Sequence, residues 1–285
     1  MTDFQTLGPL CVKIELACVG DVRITAADTT TTTVDVRPRD ADRSADVRAA
    51  GQVTLEHADG VLRVVAHRSW RATSLWGNGG AVDIALVVPS STDLSVDLAF
   101  GRFDAEGRLG ACRIKTAMGN VRLGDTATAQ ITTGYGDVLA GTIDGPAEVS
   151  TGSGSLRIDH IGADAWVRNS NGDTTLGDVA GTLAVKAANG DIVIGRARGS
   201  VTAKTANGSV RVAEIECGSA TLSTACGDIE VGIRAGTAAW LDASSKCGAV
   251  RSSLETADAP AESEQTAEVR ARTSYGDISI RRAPH

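Results

Sequence analysis

Val185-Lys-Ala-Ala-Asn-Gly-Asp-Ile-Val-Ile194 is followed eighteen residues later by Ala203-Lys-Thr-Ala-Asn-Gly-Ser-Val-Arg-Val212. It is preceded at the same spacing by Val167-Arg-Asn-Ser-Asn-Gly-Asp-Thr-Thr-Leu176. The central glycine recurs at Gly101, Gly119, Gly136, Gly154, Gly172, Gly190, Gly208 and Gly227, at intervals of 17 to 19 residues. Looser copies surround Gly20, Gly248 and Gly276. A fixed short period marks a stacked, quasi-one-dimensional architecture. Such a chain presents surfaces more readily than it encloses a chamber.

Aligned on the glycine, the copies show apolar columns. Five residues before it stand Ile114, Ile131, Val149, Val167, Val185, Ala203 and Leu222, and four after it Leu123, Ala140, Ile158, Leu176, Ile194, Val212 and Val231. The interleaved column is polar: Lys115, Thr132, Ser150, Arg168, Lys186, Lys204 and Ser223. This period-two alternation predicts two short strands per copy, each with one buried side. A further apolar column (Ile143, Ile161, Val179, Ala197, Ile215) predicts a third, cruder side. Helical periodicity is confined to a short candidate around Asp42 to Ala50.

Two architectures use such strands. The pairs Asn171-Gly172, Asn189-Gly190 and Asn207-Gly208 are type I′ hairpin signals and favour an antiparallel meander. The competitor is a parallel solenoid, one coil per copy. It explains the recurring Thr116, Thr133, Thr151, Thr205 and Thr224, whose hydroxyls would form a ladder at one strand spacing, roughly 4.8 Å. Eighteen residues also give a coil perimeter of roughly 60 Å. The expectation is therefore an all-β protein: a right-handed, single-stranded parallel β-helix of about 18 residues per rung. Val185 should lie between Val167 and Ala203, and Ile194 between Leu176 and Val212. Residues 1–95 read as an irregular N-terminal β cap with one early copy at Gly20, a strand Val34–Arg37, a hairpin at Ala58-Asp59-Gly60 and a strand Val82–Val88. Residues 96–285 read as the repeat region, closed by strands Val269–Thr273 and Asp277–Arg281.

With 32 glycines among 285 residues and only 3% aromatic side chains, the core must be thin. A net charge of −7 gives no basic face for nucleic acid. No secretory signal is visible at the start, and Ala81 to Pro89, interrupted by Asp83, is too short to cross a bilayer. The expected location is cytoplasmic, without membrane insertion. Six cysteines lack CxxC or metal-ligand spacing and read as free thiols. Cys226 and Cys247 both precede a rung glycine, and would sit roughly 5 Å apart if their rungs stacked in register.

The phrases Lys186-Ala-Ala-Asn-Gly-Asp191, Lys204-Thr-Ala-Asn-Gly-Ser209, Ser274-Tyr-Gly-Asp277 and Gly236-Thr-Ala-Ala-Trp-Leu-Asp242 resemble the bacterial β-strand-repeat family called "putative adhesins", formally a domain of unknown function. The resemblance covers nearly the whole chain. It implies a β-helix and cell-surface association, and it brings no catalytic residues.

Several columns invite a chemical reading. Asp137, Asp173, Asp191 and Asp228 follow their glycines, and either hold a cation between rungs or bond their own turn backbone. Asn171, Asn189 and Asn207 either form an internal amide ladder or tolerate a left-handed turn. Arg168, Lys186 and Lys204 should form a basic stripe on three successive rungs beside an exposed Trp166. That stripe either holds an anionic polymer or is a solvated face neutralised by nearby Asp residues. Trp70 and Trp76 are a second candidate contact point. There is no HExxH, GxSxG, Walker or dinucleotide fingerprint, so no catalytic residue, metal or cofactor is assigned. The expected function is a non-catalytic scaffold, adhesin-like, offering flat lateral faces to a protein or glycan partner. The alternative is a β-helix that binds or cleaves acidic polysaccharide.

Overall fold

The computed structural model describes residues 2–5, 10–66, 80–254 and 265–284. The chain divides into two compact units, Met1–Gly141 and Thr142–His285. Unit 1 holds β1 (Thr2–Gln5), β2 (Cys11–Ala27), β3 (Thr31–Pro38), α1 (Ser44–Gly51), β4 (Thr54–Ala58), β5 (Val61–Ala66), β6 (Ala81–Pro89), β7 (Asp93–Phe100), β8 (Phe103–Met118) and β9 (Val121–Tyr135). β10 (Val138–Ile143) crosses the boundary residue. Unit 2 holds β11 (Ala147–Ser153), β12 (Leu156–Ile161), β13 (Ala165–Asn171), β14 (Thr174–Val179), β15 (Leu183–Asn189), β16 (Ile192–Ala197) and β17 (Val201–Lys204). It continues through β18 (Val210–Ile215), β19 (Gly218–Cys226), β20 (Ile229–Ile233), β21 (Ala238–Cys247), β22 (Val250–Ser252), β23 (Thr266–Tyr275) and β24 (Ile278–Arg282).

In unit 2 each coil is one strand before its glycine and one after it, and like strands of successive coils pair in parallel. Val185 registers with Val167 on one side and Ala203 on the other. Ile194 registers with Leu176 and Val212. Both columns are fully buried, as is the third side through Ile161, Val179, Ala197 and Ile215. This is a parallel β-solenoid, as the columns predicted. The meander is excluded because adjacent copies run parallel. Moreover, among the described residues only Asp59 and Ser91 have positive φ without being glycine, so no Asn-Gly pair makes a type I′ turn here.

The glycine corner sets the period. Gly172, Gly190 and Gly208 have φ of 127°, 129° and 137°, which side chains rarely adopt. A Cβ on Gly190 would lie 2.2 Å from the Gly172 carbonyl oxygen. Backbone thus stacks on backbone, and only glycine fits. The buried threonine column serves these corners and does not form the expected hydroxyl ladder. Thr224 Oγ1 donates to the Gly208 carbonyl at 2.8 Å and Thr273 Oγ1 to that of Gly227 at 3.0 Å. Asn169, standing in the same column, donates to the carbonyls of Gly154 at 3.1 Å and Gly172 at 2.9 Å. A corner carbonyl turned out of the ladder needs such a donor. The buried hydroxyls of Thr116, Thr133 and Thr151 have no hydrogen-bond partner among the described residues.

The ends depart from sequence order. In unit 2, β23 lies between β19 and β21, and β24 between β20 and β22, all in parallel. The last strands of the chain are therefore the penultimate rung, and mid-chain β21 and β22 form the terminal one. In unit 1 the pattern recurs at the other terminus. β2 is held between β5 and β7 along its first half, and between β6 and β8 along its second. The outer edges there are covered by antiparallel strands, β4 on β5, β3 on β6 and β1 on β3, which removes exposed strand edges. The β4–β5 turn is the expected hairpin, with Asp59 and Gly60 both at positive φ. α1 falls where the sequence placed it, and the strands expected at Val269–Thr273 and Asp277–Arg281 form but lie inside the terminal rung and do not close the solenoid.

The inserted rung corrects the geometry expected of Cys226 and Cys247. Both register with Tyr275, which stands between them. They are two strand spacings apart, roughly 9.6 Å, beyond disulfide reach. The Cys112 thiol is buried, and desolvation pushes its pKa up to about 11, with Thr126 donating to the sulfur at 3.2 Å. Cys226 and Cys247 are exposed. Alkylation of the native protein at mild alkaline pH, read by peptide mass mapping, should label Cys226 and Cys247 first and Cys112 last. Early labelling of Cys112 would contradict its burial.

Candidate functional face

β13, β15 and β17 turn one edge of their pleat inward and the other to solvent, so every second side chain builds a flat outer face. On it Arg168, Lys186 and Lys204 stand in register, one per rung. All three are exposed. None makes an ion pair with a described residue. Elsewhere in unit 2 pairing is the habit: Arg157 with Asp159, Arg196 with Glu214, Arg198 with Asp178, and Arg211 with Glu230. The stripe thus stands apart from these directly paired cations. Like charges directly opposite each other on a sheet are destabilising, a cost that an anionic ligand would relieve.

Trp166 adjoins the stripe on β13 and is 56% exposed. The Arg168 guanidinium lies over its ring, 5.5 Å from the centroid, a cation–π contact that holds the indole in place. Sequence predicted this set, and the structure brings Trp166, Arg168, Lys186 and Lys204 together on one face. Trp70 and Trp76 lie outside the described residues.

The second column on this face is the asparagine ladder. Asn189 Nδ2 donates to Asn171 Oδ1, and Asn207 Nδ2 to Asn189 Oδ1, each at 2.9 Å. All three asparagines are exposed, so the ladder is external rather than internal. A bulge turns it outward: the amides of Ala206 and Asn207 both donate to the Ala188 carbonyl, at 3.2 and 2.9 Å. Between the cation and asparagine columns lie only small exposed side chains, Ser170, Ala188 and Ala206.

The aspartate column does neither thing expected of it. Each carboxylate accepts from the backbone of the next rung instead of its own turn. Asp173 Oδ1 takes the Asp191 amide at 3.0 Å, Asp191 Oδ1 the Ser209 amide at 2.8 Å, and Asp228 Oδ1 the Asp277 amide at 2.8 Å. At Asp277 the Ala249 amide, with Arg251, holds the carboxyl below its ordinary pKa. No group of three or more His, Cys, Asp or Glu side chains among the described residues could hold a metal. The Asp column also sits past the glycine corner, not on the strands that carry the cations.

Sequence reading missed one surface. The residue just before each glycine, taken as part of a turn, points outward, and in unit 1 it is apolar: Val19, Phe100, Met118 and Tyr135 register in a row. The last three are 46%, 50% and 61% exposed. Reading that column across copies would have found it. A cleft of 420 Å³ in unit 1 lies beside Glu15 and Asp97, which register with one another. No described helix is long and apolar enough to cross a membrane.

These features define a parallel β-solenoid that carries its chemistry on outward-facing columns. The chain belongs to the Toastrack family, a domain of unknown function, which it matches over residues 11–281. No curated protein matches the sequence. Among solved structures it is similar to a "putative adhesin" from Bacteroides fragilis at 11% identity, covering 98% of this chain and 95% of that one, with a TM-score of 0.42. It is also similar to a "putative adhesin" from Parabacteroides distasonis, at 13% identity, 98% and 95% coverage and a TM-score of 0.32. A "putative lipid binding protein" from the same organism shares 11% identity over 99% and 96% of the two chains, with a TM-score of 0.34.

Proposed function

We propose that this chain is a non-catalytic scaffold that binds an anionic protein or glycan partner through the outer face of β13, β15 and β17. The observation that supports this is the Arg168–Lys186–Lys204 stripe, three stacked cations without a carboxylate partner among the described residues, in a chain of net charge −7. A polysaccharide-cleaving reading would need a general base beside the stripe. One carboxylate, Glu148, stands on this face, in register with Trp166 on the adjacent rung. Among the described residues no second one stands across the stripe to complete an acid–base pair, which favours binding over cleavage.

The test compares the parent with a variant carrying Arg168→Glu, Lys186→Glu and Lys204→Glu on immobilised polyglutamate and polygalacturonate. The parent should be retained on at least one polymer at low salt and released as salt screens the contact. The variant should not be retained, and neither protein should generate new sugar chain ends. Equal retention of the variant would overturn the assignment of the face.

A further inference from the structure

We propose that the partner of this face is a uronate-type glycan, a chain bearing one carboxylate per sugar, laid across the rungs in the strip between the cation stripe and the asparagine ladder. The inference rests on the preceding reading of the face and adds the ligand's chemistry and direction.

Three features of the strip carry it. First, the cations repeat once per rung, at roughly 4.8 Å, which is about the rise of one sugar residue in an extended glycan. A polymer running across the strands would meet a charge at each residue, whereas one running along a strand would meet a single cation. Second, the ladder leaves hydrogen-bonding capacity unused. An Asn side chain offers two N–H donors and an oxygen with two lone pairs. Asn189 spends one donor on Asn171 and one lone pair on Asn207. One donor and one acceptor remain on that rung, a set that suits sugar hydroxyls, which both donate and accept.

Third, the floor of Ser170, Ala188 and Ala206 is flat and nearly featureless. It lets a ring approach the sheet, and it provides no pocket for the varied side chains of a protein. An acidic peptide would use the cations but has less use for the amide ladder.

The experiment titrates the full chain by calorimetry with oligogalacturonates of increasing length, with their fully methyl-esterified counterparts, and with poly-L-glutamate. Affinity for the oligogalacturonates should climb as the chain lengthens to span the three cations and then level off. Esterification should abolish measurable binding. Lys186→Ala should weaken binding roughly three- to fivefold, the scale of one exposed ion pair. Asn189→Ala should weaken oligogalacturonate binding severalfold while leaving any poly-L-glutamate binding unchanged. Both positions are exposed, so these variants should melt like the parent. Binding of poly-L-glutamate alone would overturn the glycan assignment and leave the anionic-face reading standing. Binding of neither polymer would overturn both. Oligogalacturonate binding that ignores esterification or the Asn189→Ala change would overturn the proposed strip.

Discussion

Val185→Asp should cost at least about 4 kcal/mol of stability and leave the C-terminal half of the solenoid unable to close. Val185 is fully buried and is sandwiched by Val167 below and Ala203 above. A carboxylate there meets these two apolar residues, so it must either ionise unpaired or draw in a proton at a cost in free energy. Stacked rungs support only their neighbours, so the damage passes along the column. The control is Lys186→Asp, one residue further along the same strand. That side chain is exposed, and its replacement should change stability by no more than about 0.5 kcal/mol. Urea denaturation of the two variants beside the parent checks both values. Equal midpoints would mean that the pleat faces the other way.

Gly190→Ala is the second large effect. The new methyl would be 2.2 Å from the Gly172 carbonyl oxygen, and the φ of 129° is outside the range of ordinary side chains. Neither neighbour can yield, because both are backbone of stacked corners. A loss of at least about 3 kcal/mol is expected, from strain plus a forced shift between rungs. Gly236 is the matched comparison. It also has positive φ, at 82°, yet a Cβ there meets nothing within 4 Å. Gly236→Ala should cost only about 1 kcal/mol, from backbone conformation alone. Thermal melts of the pair separate crowding from conformational preference. If Gly190→Ala proved as mild as Gly236→Ala, corner stacking would not be the origin of the period.

Much of this was readable in the residues because a solenoid repeats its constraints. Each apolar column samples one environment many times, so Val149, Val167 and Val185 announce their shared burial. The cation stripe was legible for the same reason, since Arg168, Lys186 and Lys204 occupy one position of three copies. Order in space was another matter. A period reports that rungs are alike and not which rung lies beside which. The insertion of Tyr275 between Cys226 and Cys247 therefore shows only as a broken period after Gly227, which does not say which rung moved. The bonds of the corners were hidden too. Asp173 and its counterparts are identical in sequence whether they bond their own turn or the next rung, and only the stacking distance decides. The row Phe100, Met118 and Tyr135 escaped because chemically unlike residues share one column.

The placement of the two chain termini has a consequence for how the molecule comes apart. Polypeptide ends ordinarily peel first, since nothing holds them on one side. Here β2 and the β23–β24 pair act as keystones: each has a rung on both sides, and unthreading either one breaks two ladders at once. The outermost rungs are instead made of chain tethered at both ends. Hydrogen exchange should therefore protect the amides of Val269 and Ile278 at least as well as those of Leu241 and Val250, although the former are later in the chain. For the same reason, a ribosome that has released everything up to Ser252 has made a solenoid end without its keystone, and closure must wait for the final strands.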